Sequence, residues 1–340
     1  MALGGTAFRN SAGVVRCEGM TSIGTSVSRA VPEPLPENIP SAQPGGGFCY
    51  RLEMAWGRWR RWWLKHFRPG YVRRMAALRK GTLEGAPLEI LDPRDLKFVR
   101  NRVSCWWEPA DDPFAWRDKL PFARWGLAEV QIFGWPLAAL AVAAWYWLDW
   151  HLAVLPGGLL FFVLYFFRDP HRRIPVGPGL VVAPADGTVL EVTKLDHDAY
   201  IGGPAVRIGI FMSIFSVHLN RAPVAARVIA LRYHPGAFIN AMRPESSQRN
   251  ESMWIGLEED APPYRRLVVR QIAGAIARRI VCPLRPGEHL LRGQRIGMIK
   301  FGSRTELILP DEPGLVVEVR VGDAVRAGSD VIARYEPARQ

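Results

Sequence analysis

After residue 170, apolar positions come in short runs separated by Gly, Pro, Asp and Asn: Leu180–Ala183, Thr188–Leu195, Val206–Phe215, Arg227–Tyr233, Arg266–Ala273, Thr305–Leu309, Leu315–Val321 and Val331–Tyr335. Runs of this length between turn residues predict strands, and so many in succession predict an all-β barrel or sandwich. Upstream the pattern changes. Residues 132–148 carry no charge, Asp149-Trp150-His151 interrupts, and residues 152–167 are again uncharged. At about 1.5 Å per residue the whole apolar run would reach about 54 Å, against a hydrocarbon thickness of about 30 Å, so one straight span does not fit. Two helices meeting near Asp149–Gly158 are expected, with Pro156-Gly157-Gly158 as a second break.

From Met54 the sequence sets Trp56, Trp59, Trp63 and Phe67 on one helical face, with Arg58, Arg61, Lys65 and Arg68 around the other. A basic helix with an aromatic face suits a membrane interface, where indoles favour the headgroup layer and cations meet anionic lipid. A helix docked on a core with a solvated basic face is the other reading. Before it, residues rich in Gly, Ser, Pro and Thr show no period and no secretory signal, which predicts a disordered tail with Met54 as a candidate start. The expected organisation is a disordered tail over 1–53, a basic Trp-rich extension with an interfacial helix over 54–127, a membrane hairpin over 128–167 and a β-rich domain over 168–340.

Composition narrows the partners. Among 340 residues, 44 Lys+Arg face 32 Asp+Glu for a net charge of +12, which fits nucleic acid, an anionic membrane or an acidic substrate. The cations favour the membrane, because Arg117, Lys119 and Arg124 precede the apolar pair and Arg168, His171, Arg172 and Arg173 follow it. By the positive-inside rule both ends then lie at the cytoplasmic face of the cell membrane. No nucleic-acid motif interleaves them. Cys17, Cys49, Cys105 and Cys282 stand far apart without a CxxC pair, so neither a metal site nor a disulfide framework is expected. Neither GxGxxG nor GxxxxGK[ST] is present. Residues 316–333 read as two strands around a tight turn, similar in scaffold to biotinyl and lipoyl carriers but without their tip lysine.

Three signals could carry chemistry: Pro184-Ala185-Asp186-Gly187, the segment 215–221 with His218, and Lys300-Phe301-Gly302-Ser303-Arg304. Singly they read as a turn, a structural histidine and a loop. Together they supply Asp, His and Ser, the types used when a carboxylate orients an imidazole that activates a hydroxyl. The absence of GxSxG argues against an ordinary serine hydrolase.

At these residues the sequence resembles the phosphatidylserine decarboxylase family, in its shorter bacterial and archaeal type. The resemblance runs from about Gly134 to Glu336. It rests on Phe166-Phe167-Arg168-Asp169-Pro170, Pro184–Gly187, FMSIFSVHLNRAP (211–223), YHPGAFINA (233–241), Asn250-Glu251, RQIAG (270–274), ARRIV (277–281) and Gly302-Ser303. It implies a mainly β, barrel-sandwich-like domain preceded by a hydrophobic helical membrane hairpin and a basic N-terminal extension. It also implies self-cleavage between Gly302 and Ser303. The Ser303 hydroxyl attacks the Gly302 carbonyl, β-elimination leaves dehydroalanine, and hydrolysis leaves a covalent pyruvoyl cofactor at position 303. That ketone forms a Schiff base with phosphatidylserine, and loss of CO2 gives phosphatidylethanolamine. The product is a heterodimer of the chain's own β and α pieces acting on an anionic phospholipid, with homo-oligomerisation left open.

His218 is the candidate base and proton donor, with Asp186 orienting it. Many longer-type members carry two histidines three residues apart in this segment, whereas this chain has His218 and then Arg221. The second role therefore falls either to His218 as well or to His234. Arg221 is the candidate for holding substrate carboxylate or phosphate, because guanidinium matches both; a solvated face is its other reading. The competing function is an inactive, membrane-tethered barrel-sandwich adaptor in which Ser303 stays a serine.

Overall fold

The computed structural model describes residues 29–275, 279–300 and 302–336. The expected disordered tail lies outside it as far as residue 28, as do Cys17, Phe301 and part of the 277–281 motif. The remainder of that tail is ordered, against expectation. Residues 29–47 cross the β domain without helix or strand. Their backbone amides reach Glu258 from Ala30 (2.7 Å), Ile229 O from Glu33 (2.8 Å) and Lys97 O from Ala42 (2.9 Å). Ile39 is fully buried in the main core. Foreign backbone groups and one isoleucine order this segment, and neither leaves a periodic trace in sequence.

Two helices follow, α1 (Phe48–Phe67) and α2 (Pro69–Leu78), and then a two-stranded ladder of β1 (Lys80–Thr82) with β2 (Ser104–Trp106). Met75, Ile90, Phe98, Val99, Cys105 and Trp107 form their small shared core. Met54, the candidate start, lies inside α1 against it. The inner face of α1 is not the expected tryptophan face. It buries Gly57, Arg60, Arg61 and Leu64, and both arginines pair with Asp95, while Trp56, Trp59 and Trp62 are exposed. Arg61 thus leaves the outer basic face it was expected to join, because a buried carboxylate compensates its burial.

The apolar run folds as a helical hairpin of α3 (Leu127–Trp147) and α4 (Trp150–Phe166). Asp149 sets the turn: its carboxylate accepts from the His151 amide at 2.8 Å and caps α4. Pro156-Gly157-Gly158 lies inside α4, so the second break does not occur. Among the described residues one helical stretch, Arg124–Trp147, is long and apolar enough to cross a membrane, and α4 is shorter.

The remainder is mainly β, as expected. In chain order it comprises β3 (Leu180–Val182), β4 (Gly187–Asp198), β5 (Gly203–Met212), β6 (Leu219–Arg221), β7 (Ala226–His234), the short α5 (Ser246–Arg249), β8 (Ser252–Glu259), β9 (Arg266–Ala273), β10 (Arg279–Val281), β11 (His289–Leu290), β12 (Arg295–Lys300), β13 (Ser303–Pro310), β14 (Leu315–Val317), β15 (Ala324–Val325) and β16 (Val331–Tyr335). Eight of them make one antiparallel sheet in the order β11-β7-β8-β9-β13-β5-β4-β15. Two three-stranded sheets, β10-β12-β6 and β14-β16-β3, complete the domain. In the C-terminal stretch β14 pairs antiparallel with β16, but no tight turn joins them: β15 lies between them in the chain and pairs with β4. β8, β12 and the two- and three-residue strands β6, β10, β11 and β15 lie outside the expected runs. β8 is buried on nearly every residue and so lacks a polar alternation.

Candidate active site

Ser303 opens β13 in the middle of the large sheet, opposite Met212 of β5 on one side and Ala273 of β9 on the other. Side chains alternate along a strand, so Ser303, Thr305, Leu307 and Leu309 share one face. Leu307 and Leu309 belong to the main core, which makes this the inner face. On the opposite face Arg304 pairs with Glu191 (2.6 Å) and Glu306 (2.9 Å). Ser303 is fully buried, and its hydroxyl donates to the Met212 thioether at 3.3 Å, a weak acceptor. Behind it the Asn220 amide donates to Thr305 Oγ1 (2.9 Å), and Gln271 donates to Asn220 Oδ1 (2.8 Å), all three fully buried.

Gly302 has φ +61°, and a Cβ there would meet nothing within 4 Å. The left-handed backbone, not lack of space, requires glycine. Its amide donates to His218 Nε2 at 3.2 Å, and His218 Nδ1 lies 2.9 Å from Ser216 O. A carbonyl only accepts, so the proton sits on Nδ1 and leaves the Nε2 lone pair for Gly302. Burial first, then the Arg168 charge, lowers the imidazole pKa to about 4 against the opposing Ser216 hydrogen bond. The ring also packs on Phe166, with centroids 4.4 Å apart. His218 therefore meets the Gly302-Ser303 junction as a neutral acceptor.

The other expected site residues do not gather there. Asp186 pairs with Arg172 (2.6 Å) and accepts from the Ala327 amide (2.8 Å); none of its hydrogen bonds reaches the imidazole, which Ser216 orients instead. Arg221 is buried and pairs with Asp169 (2.8 Å), which also binds Arg295 (2.5 Å), so its guanidinium is spent on structure. His234 ends β7 and is exposed. Its register partner is Ser252, then Ile272, then Arg304, which places it three strand spacings, about 14 Å, from β13.

Geometry adds residues that the search for titratable groups passed over. Met212, Asn220, Gln271 and Gly274 all fall within the segments 211–223 and 270–274. Gly274 is the most informative, since a Cβ there would stand 2.2 Å from the Gly302 carbonyl oxygen. Among the described residues no group of three or more His, Cys, Asp or Glu side chains is arranged to hold a metal.

Comparison with known proteins identifies the family. The family model for phosphatidylserine decarboxylase matches residues 159–333. The phosphatidylserine decarboxylase proenzyme of Rhodopirellula baltica is 48% identical over 242 residues, covering 71% of this chain and 99% of that protein. Those of Nitrosomonas eutropha and Symbiobacterium thermophilum are 43% and 45% identical over 208 and 205 residues, each spanning 59% of this chain and 93% of the relative. The matched region contains the Gly302-Ser303 junction, its histidine and the sheet that buries them, and the chain belongs to the phosphatidylserine decarboxylase family.

Proposed function

We propose that the chain is a phosphatidylserine decarboxylase made as a proenzyme, which cuts itself between Gly302 and Ser303. The observation that carries this reading is the junction itself. A buried hydroxyl adjoins the carbonyl of a left-handed glycine whose amide is held by a neutral imidazole. In the first step the Ser303 oxygen bonds to the Gly302 carbonyl carbon, the C–N bond breaks, and the hydroxyl proton ends on the freed amine. His218 Nε2 is the candidate carrier of that proton. Elimination then releases the Gly302 carboxylate, and water replaces the nitrogen of residue 303 as ammonia leaves.

The position suits a pyruvoyl group, being enclosed on the inner sheet face with Thr305 and Asn220 as polar neighbours. Such a group supplies an electrophilic carbonyl that draws electrons away from the bond to the departing CO2. The protein around it excludes water and keeps His218 at the same end of the strand.

Access to a phospholipid follows from the hairpin. Trp145, Tyr146, Trp147, Leu148, Trp150 and Leu155 are exposed around its tip. Basic residues sit at its base, and Trp56, Trp59 and Trp62 are exposed on α1 beside Arg58. We assign this surface to the cytoplasmic face of the cell membrane. The test is intact-mass measurement of protein extracted with detergent: two chains parted between Gly302 and Ser303, the smaller lacking a free amine, are expected. A single 38.1 kDa chain would favour the inactive adaptor.

Gly274 supplies a sharper check. Gly274→Ala places a methyl on the scissile carbonyl, and displacement of about 1 Å is expected to slow cleavage about 100-fold. The ratio of cut to uncut chain over time measures it, and unaltered kinetics would remove Gly274 from the site.

A further inference from the structure

One end of the helical hairpin touches the strand that leads into the junction, and the other touches the histidine that faces it. At the start of α3, Glu129 is 3% exposed and pairs with Lys300, also 3% exposed, three residues before Ser303. At the end of α4, Phe166 packs on His218, whose Nε2 accepts the Gly302 amide. The base of the hairpin therefore holds Lys300 on one side and the imidazole on the other. Glu129 is also the one acid in the first turn of a helix that is otherwise uncharged. Across the β10–β12 ladder Arg279 stands opposite Lys300, so a second cation shares that face.

A buried ion pair is weak evidence for stability, because an apolar pair of similar volume often serves as well. It does fix geometry, since either partner left alone is costly to bury. Here the fixed geometry belongs to the strand that delivers Gly302 to His218. Ile299 reinforces this by donating its amide to His218 O at 3.1 Å.

We propose that Glu129 is a positioning residue for self-cleavage: through Lys300 it sets the register of the segment entering the Gly302-Ser303 junction, so that maturation requires a correctly docked hairpin. The inference rests on the self-cleavage reading above. The role is confined to cleavage, because attack needs the Gly302 carbonyl in line with the Ser303 hydroxyl, whereas the mature site has lost that bond.

The experiment compares wild type, Glu129→Gln, Lys300→Met, Glu129→Asp and the apolar double variant Glu129→Leu/Lys300→Met. Each is purified in detergent and followed for chain cleavage, thermal melting and decarboxylation per mature site. The Glu129→Gln and Lys300→Met variants are expected to cleave about 100-fold more slowly. The double variant should melt near wild type yet cleave as slowly as the singles. Glu129→Asp, which keeps the charge, should regain part of the rate. Turnover per mature site should stay within about twofold of wild type throughout. Wild-type cleavage by the double variant, or by Glu129→Gln should the double variant not fold, overturns the proposal. So does loss of turnover in proportion to loss of cleavage. An uncut wild-type chain would instead remove the self-cleavage reading itself.

Discussion

Ser303→Ala is expected to leave one intact 38.1 kDa chain with no decarboxylase activity and an almost unchanged fold. The loss should be complete because the serine supplies both the attacking oxygen and the carbon skeleton of the group it becomes. The fold should tolerate it because the hydroxyl makes only a 3.3 Å contact to the Met212 thioether. Removing one such hydrogen bond costs about 1 kcal/mol or less, and alanine keeps the strand's inner face filled. Intact mass and thermal melting measured on the same sample separate the two effects. Cleavage surviving in this variant would show that another residue attacks.

His218→Gln should reduce cleavage by about 10²- to 10⁴-fold, the usual worth of a positioned acid–base group. Glutamine can still accept the Gly302 amide, so the variant removes proton transfer with the least disturbance to the junction. His234→Gln, about 14 Å away by strand spacing, should cleave at the wild-type rate. If the outcomes are reversed, the acid–base role belongs to His234. A pH profile adds an independent reading. With its folded pKa lowered to about 4, His218 stays neutral through the physiological range. Cleavage should be flat from about pH 8 to pH 6 and fall as pH approaches 4. The stability effect has a definite sign. The unfolded imidazole binds a proton near pH 6.5 while the folded one resists until about 4, so His218 is fully compatible with the fold above 6.5 and works against it as pH drops between these values. The loss approaches roughly 3 kcal/mol. His218→Gln should flatten that acid limb in melting experiments.

The β-rich domain and the helical hairpin could be read from pattern because their signals are local: alternation, turn residues and an uncharged run. The junction was legible only through the family resemblance, since Gly302-Ser303 by itself reads as a loop. Sequence order says nothing about which cation a carboxylate meets, and Asp186 pairs with Arg172 while Ser216 bonds the imidazole. Arg221 shows the same limit, for its partner Asp169 lies 52 positions away. Gly274 could not be singled out because its φ is unremarkable and only the approach of a distant carbonyl makes its missing side chain matter. The order of residues 29–47 was hidden for a related reason, as the groups that hold them lie on β7, β8 and the segment before β2.

The place of β13 carries a last consequence. It is hydrogen-bonded along both edges, to β5 and to β9, and begins at Ser303. A cut before Ser303 would therefore leave the smaller product supplying β13 inside the large sheet and β15 at its edge, with the other six strands coming from the larger one. The two pieces would stay together by strand complementation, with no linker needed. Unfolding would then become a one-way event, because a connection present during folding would be missing during refolding. The mature enzyme's endurance should follow its rate of opening more than any equilibrium between folded and unfolded chains.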